Sequence, residues 1–260
     1  MSYNILLCGV GGQGTVLASK LLAATAGGAG LTVHSAETIG MAQRGGPVTS
    51  HVRIGEDAYS PMIPKGSADL IIAFEPAEAV RSLDYLKSNG AVIVNEVCIK
   101  PVTESLQPTG YDGSEMIAYL KKRVSRLIVV NADTLCEEFG SVRFFNIAVL
   151  GVAAGAGLLD FSREEILSTI EKTVKKDFVE INKKAFLHGC EVGAEQKGVG
   201  EFPTESAKTA LPQTENGDGE KTGAEERTAK KKPVPARRMT EEEAKLLLAV
   251  RKEVAEKKKK

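Results

Sequence analysis

The residues best placed to do chemistry fall in two glycine-rich segments. The first is Gly9-Val10-Gly11-Gly12-Gln13-Gly14, which satisfies G-x-G-x-x-G between an apolar run and an amphipathic one. Glycines there allow a tight turn and close backbone approach. The helix that follows would offer unpaired N–H groups and partial positive charge to an anion. The second is Thr38-Ile39-Gly40-Met41-Ala42-Gln43-Arg44-Gly45-Gly46-Pro47. Glycine neighbours leave the Arg44 guanidinium exposed, and its planar fork suits a carboxylate or phosphate. The candidate ligand contacts are therefore Gly9, Gly11, Gly12, Gln13, Gly14, Gln43, Arg44, Gly45 and Gly46. The alternative is that both loops are glycine-rich only so that backbones can pack closely.

Two chemistries compete for the first loop. Glu37 stands where a dinucleotide fold places the acid that binds the ribose, which points to NAD or FAD. Against that, a dinucleotide unit passes from its second strand into a helix, whereas here the second glycine loop and then a strand follow. The Gly12-Gln13 pair also departs from the usual loop, which continues with small or apolar residues.

Little else in the chain looks catalytic. Cys8, Cys98, Cys136 and Cys190 are far apart with no C-x-x-C pair, so the spacing argues against a metal centre built from this chain alone. His34, His51 and His188 read as structural histidines, the last near a helix end that an imidazolium would suit. Glu75-Pro76 reads as a helix start, and Tyr111-Asp112-Gly113 as a turn rather than part of a diphosphate–magnesium motif. No Ser/His/Asp or Cys/His set is legible.

These loops need a scaffold, and the pattern supplies one. Buried strands are expected at Tyr3–Cys8, Leu31–Ala36, Val48–Ile54, Leu70–Phe74, Ala91–Asn95 and Leu127–Asn131. Gly55-Glu56-Asp57 suggests a hairpin pairing Val48–Ile54 with Ala58–Met62. Helices are expected at Thr15–Ala26, Ala77–Ser88 and Glu115–Val124. Beyond Asp133 the chain reads as helical. Asn146–Leu159, studded with Gly and Ala, suits a helix packed closely on a neighbour. Ser162-Arg163-Glu164-Glu165 is a capping box opening a helix to about Lys176, and a further helix follows over roughly Glu180–Gly189. Alternating strands and helices give an α/β fold: a doubly wound, mainly parallel sheet with a C-terminal helical portion and a disordered tail.

The domain is expected to occupy residues 1–194. Residues 195–239, rich in Gly, Pro, Thr, Glu and Lys, cannot bury enough apolar surface to fold. Residues 240–260 open on a second capping box and carry Leu246, Leu247, Val250 and Val254 at helical spacing before four lysines. That is a short amphipathic helix on a tether spanning roughly 35–40 Å as a coil, either solvated or docked by its Leu/Val face on a partner. The 34 basic and 34 acidic residues of the 260 balance, which gives no reason to expect nucleic acid or an anionic membrane as partner. No apolar run approaches the roughly 20 residues of a membrane span. With no basic leader ahead of the first strand, a cytoplasmic location is expected.

The two motifs in this order, with Phe145-Asn146-Ile147-Ala148-Val149-Leu150-Gly151 and the Asn182–Gly189 stretch, resemble the gamma-type domain of the 2-oxoacid:ferredoxin oxidoreductases. The likeness runs from about Tyr3 to Gly193 and is strongest to the small beta subunit of the indolepyruvate enzymes. It implies oxidative decarboxylation of a 2-oxoacid in an anaerobic, hetero-oligomeric enzyme. Thiamine diphosphate, Mg and [4Fe–4S] clusters would sit on a large alpha subunit. Coenzyme A would be co-substrate, ferredoxin the acceptor, and this chain alone would bind no cofactor and be inactive. The glycine loops and Arg44 would then either contact coenzyme A or only pack against the partner. A gamma subunit serving pyruvate, 2-oxoglutarate or branched 2-oxoacids, a free-standing NAD(P)- or FAD-binding protein, and a non-catalytic scaffold remain the alternatives.

Overall fold

The computed structural model describes residues 2–39, 45–100 and 110–196. The expectations for the tail beyond 196, and the residues Gly40–Arg44, lie outside them. The chain runs β1 (Tyr3–Val10), α1 (Thr15–Gly28), β2 (Val33–Ile39), β3 (Pro47–Ile54), β4 (Ala68–Ala73), α2 (Pro76–Arg81), β5 (Leu86–Asn95), α3 (Ser114–Arg123) and β6 (Arg126–Val130). Four helices complete it: α4 (Ala132–Leu135), α5 (Phe145–Gly155), α6 (Arg163–Thr173) and α7 (Val179–Glu195).

The strands form one six-stranded sheet in the order β2-β3-β1-β4-β5-β6. β1, β4, β5 and β6 are mutually parallel, while β3 runs antiparallel to both β1 and β2. Five of the six strands therefore point the same way, and the expected mainly parallel sheet is found. Both faces are covered, which is why the central strands read as continuous apolar runs. Side chains alternate between two cores. Ile5, Leu7, Leu70, Ile72 and Ile93 face α1 and α5, and Leu6, Cys8, Ile71, Ala73, Val92 and Val94 face α2 and α3. Each fully buried aliphatic side chain contributes about 1.5–3 kcal/mol.

Two local expectations fail for identifiable reasons. Ala58–Met62 is not a strand, because both edges of β3 are already taken by β1 and β2. Side chains hold that segment instead: Arg53 Nη1 donates to Ser60 O at 2.8 Å, and the Ile63 N–H donates to His51 Nδ1 at 3.2 Å. The helix expected over Ala77–Ser88 stops at Arg81, and a 3-10 turn at Leu83–Tyr85 delivers the chain into β5 at Leu86. Gly90 permits that early start, since a Cβ there would lie 2.9 Å from Ala68 O.

The C-terminal helices meet backbone to backbone. Gly151 and Gly155 on α5 and Gly189 and Gly193 on α7 repeat at four-residue spacing. A Cβ on any of them would collide with a carbonyl of the facing helix: Phe186, Cys190, Ala148 and Val152 respectively. The capping box of α6 forms, with Ser162 N–H donating to Glu165 Oε2 at 2.8 Å and Glu165 N–H to Ser162 Oγ at 3.2 Å. The helix ends at Thr173, three residues short of expectation. α7 runs on to Glu195, so His188 sits inside the helix, 3.4 Å from Glu138 Oε1, rather than at its end.

Candidate functional site

The carboxyl ends of β1 and β4 are neighbours, and the chain winds away from them to opposite sides of the sheet. Ligands of open α/β sheets bind at such a switch point. The Gly9–Gly14 loop sits there. Gly12 and Gly14 hold φ of +107° and +84°, which L side chains adopt only with strain. Beyond Gly12 a Cβ would meet nothing within 4 Å, so that backbone faces open space. At Gly9 and Gly14 packing decides: a Cβ would lie 2.7 Å from Gln13 Oε1 and 2.6 Å from Asn146 Nδ2. Gly14 caps α1 without a side-chain hydrogen bond, and no acidic residue occupies the first turn. The amides at the start of α1 thus keep their positive end uncompensated.

The structure brings the two glycine motifs together. Gly11 N–H donates to Gly46 O at 2.8 Å, and Gly45 N–H to Gly11 O at 3.4 Å. Gln43 and Arg44 belong to this segment but lie outside the described residues. Gln13 has a positioning role: its Oε1 accepts from Val10 N–H at 2.7 Å and its Nε2 donates to Phe74 O at 2.8 Å. Asn95, 3% exposed, reaches the same carbonyl from β5 at 3.1 Å and accepts from Ala132 N–H at 3.0 Å. The ends of β1, β4 and β5 and the start of α4 are thereby tied through two carboxamides.

Beside this junction opens a cavity of about 420 Å³. Gly11–Gly14 form one wall. Val97, Ile99, Val142 and Phe145 supply apolar surface, and Asp133 and Arg143 supply the charges. Sequence reasoning missed Asn95, Asp133 and Arg143. Asn95 carried a signal, a polar residue closing a buried strand at the carboxyl edge. Arg143 carried none, because only the fold brings it to the loop. A second, shallower cavity of about 600 Å³ lies on the other side of Val97, lined by Glu96, Cys98, Lys100, Asp112 and Lys121 among others.

The remaining candidates resolve as structural. Glu75, 2% exposed, caps α2 by accepting from Glu78 N–H at 3.1 Å and takes the Tyr111 hydroxyl at 2.7 Å. Burial and that carboxylate push the Tyr111 phenol well above its ordinary range. Asp112 accepts from Ser114 N–H and Oγ, making the expected turn into α3. Burial lowers the pKa of His51 and pushes the Cys8 thiol up to about 12. Glu37 does not stand beside the glycine loop. β3 lies between β2 and β1, which places Glu37 roughly 10 Å away across two strand spacings. The ribose-binding role that the spacing suggested is lost for that reason. Among the described residues no group of three or more His, Cys, Asp or Glu side chains is placed to hold a metal, and no helix is long and apolar enough to cross a membrane.

Residues 4–192 match the family described as pyruvate ferredoxin/flavodoxin oxidoreductase. The chain belongs to that family. The chain is 43% identical over 190 residues to the indolepyruvate oxidoreductase subunit IorB of Archaeoglobus fulgidus, covering 73% of this chain and 94% of the relative. The subunit of the same name from Thermococcus kodakarensis is 36% identical, over 76% and 98% respectively. Among solved structures, the gamma subunit of a keto/oxoacid ferredoxin oxidoreductase from Geobacter sulfurreducens superposes with a TM-score of 0.57 at 24% identity, covering 74% of this chain and 99% of that one. That likeness bears on the fold. The family membership expected from the two glycine motifs is thus found.

Proposed function

We propose that this chain is the small subunit of a cytoplasmic, oxygen-sensitive 2-oxoacid:ferredoxin oxidoreductase acting on indolepyruvate or a related aryl-pyruvate. The reading is carried by the 43% identity that spans nearly the whole of an indolepyruvate oxidoreductase subunit. In this reaction a 2-oxoacid and coenzyme A give an acyl-coenzyme A and CO2, and two electrons leave to ferredoxin. The electron-carrying and decarboxylating chemistry belongs to thiamine diphosphate, Mg and [4Fe–4S] clusters on a large alpha subunit. The wide spacing of the four free cysteines, three of them buried, supports that division.

The role of this chain is to shape the coenzyme end of a shared site. Gly11, Gly12 and Gly14 present backbone to the cavity, Gly9 lets the loop pack against Gln13 and Phe74, and Gln13 fixes the loop against β4. Gly45 and Gly46 complete the clasp, and Gln43 and Arg44, from the same sequence motif, are the proposed ligand contacts, Arg44 for an anionic oxygen of coenzyme A. Uncapped amides at a helix start offer an anion directed N–H donors and a favourable dipole. Val97, Ile99, Val142 and Phe145 give the same space an apolar wall for an uncharged part of the coenzyme.

A gamma subunit serving pyruvate, 2-oxoglutarate or a branched 2-oxoacid is the second reading, favoured by the pyruvate named in the family description. Purification of the chain alone and with its co-expressed alpha subunit tests both. The proposal expects a colourless, inactive chain and an iron-rich complex that reduces viologen with coenzyme A and aryl-pyruvates. Preference for pyruvate would select the second reading. Turnover by the isolated chain, or a complex whose activity survives its removal, would overturn both.

A further inference from the structure

The cavity beside the glycine loop carries two opposite charges that no motif announced. Arg143 is exposed and reaches the cavity from the 3-10 turn ahead of α5, and Asp133 comes from the first turn of α4. Among the described residues neither side chain is committed to an ion pair or a hydrogen bond: Asp133 uses only its backbone N–H, to Asn131 Oδ1 at 3.0 Å, and Arg143 only its own, to Ser141 Oγ at 3.3 Å. Both residues sit on short elements whose backbone is anchored by buried or capping groups. Asn131 caps α4, and Asn95 Oδ1 accepts from Ala132 N–H. Phe145, directly after the Arg143 turn, is 4% exposed and packs edge-on against Phe74 at 5.7 Å. The backbone that carries each charge is therefore anchored, while the side chains themselves are left for a ligand to engage.

A cation with loop amides suits phosphate oxygens, since guanidinium pairs them with two parallel hydrogen bonds. The carboxylate sets a second condition. It repels a bare polyanion across a cavity of about 420 Å³, and accepts a hydrogen bond from a hydroxyl, amide or amino group. In the same cavity Val97, Ile99 and Val142 offer apolar surface to an uncharged part of the ligand. We propose that Arg143 and Asp133 select the ligand of this cavity: a phosphorylated molecule that also carries a hydrogen-bond donor, with Arg143 holding phosphate oxygens and Asp133 taking the donor. This rests on the reading that the cavity receives a coenzyme, and it supplies the specificity that amides alone cannot.

The test is equilibrium binding to the full chain by calorimetry, with coenzyme A, ADP and inorganic pyrophosphate as separate probes. Wild type should bind coenzyme A or ADP more tightly than pyrophosphate. Arg143→Ala should weaken all three, by roughly tenfold to a hundredfold for a lost charge-assisted pair, and Arg143→Lys should recover part of that loss. Asp133→Ala removes both the acceptor and the charge, and should tighten pyrophosphate severalfold relative to the donor-bearing ligands. Arg143 is exposed and Asp133 lies on a helix surface, and a matching circular dichroism melt checks that each variant folds. If ADP and pyrophosphate show this pattern while coenzyme A does not bind, the coenzyme A assignment fails and the selectivity stands. If all probes bind the variants as they bind wild type, if Asp133→Ala leaves the ratio of ADP to pyrophosphate affinity unchanged, or if none binds wild type, the inference is overturned.

Discussion

Gln13 donates its side-chain amide to the carbonyl of Phe74 across 2.8 Å, tying the first glycine loop to the end of the neighbouring strand. Asn95 donates to the same oxygen at 3.1 Å. One acceptor thus joins three strand ends at the rim of the cavity. Gln13→Ala strips Val10 N–H of a partner as well, and should cost about 1–3 kcal/mol. Asn95→Ala removes four hydrogen bonds and should cost more. Urea denaturation of both single variants and the double variant checks this. Because they share Phe74 O, the two losses should not add.

Glycine to alanine should have opposite effects at two helical positions. At Gly189 the new methyl group would strike the carbonyl of Ala148, and overpacking of that kind costs about 1–3 kcal/mol or more. At Gly27, inside α1, it would meet nothing within 4 Å and should stabilise by about 0.5–1 kcal/mol. Thermal melts should therefore move in opposite directions, and a fall for both would show that α1 is packed differently.

Two carboxyls should give pH dependence of opposite sign. Hydrogen bonds from the Ser162 backbone and hydroxyl lower the pKa of Glu165. Its stabilisation is present above the ordinary carboxylate range and lost as pH falls through the depressed value. Burial raises the pKa of Glu78 against the opposing Arg81 guanidinium, so its contribution declines as pH rises through the raised value. Glu165→Ala should be less stable than wild type at neutral pH and close to it in acid. Glu78→Gln should compare best with wild type at neutral pH. Chemical denaturation at pH 3 to 7 reads both signs.

Thiol chemistry should single out Cys98. Cys8, Cys136 and Cys190 are buried, and burial raises each of their thiol pKa values, Cys136 and Cys190 to about 11. Cys98 is partly exposed, with a thiol also raised. Titration of the native chain with a chromogenic disulfide should release roughly one equivalent slowly, and about four after unfolding. Rapid reaction at a second cysteine would contradict the packing described.

Much of this architecture was legible because it is local. Ser162 and Glu165 announce their capping box three residues apart, and the glycines of Asn146–Leu159 announce a close neighbour without saying that α7 is the neighbour. The failures are non-local. Nothing within Ala58–Met62 reveals that β1 and β2 already occupy both edges of β3, and nothing around Glu37 reveals that β3 inserts between its strand and the glycine loop. The cavity shows the same divide. Its glycines are readable from turn chemistry, whereas Arg143 and Asp133 join them only through the order of strands and the seat of α5.

The glycine contact between α5 and α7 bears on how the cavity can respond to an occupant. Phe145 heads α5 and faces the cavity, while Gly151 and Gly155, further along, rest directly on the main chain of α7. No side chains lie between the two helices at those points to flex or repack, so this wall behaves as a fixed buttress. Adjustment to a ligand is then left to the cavity's other walls, among them the stretch after β5 that carries Val97 and Ile99.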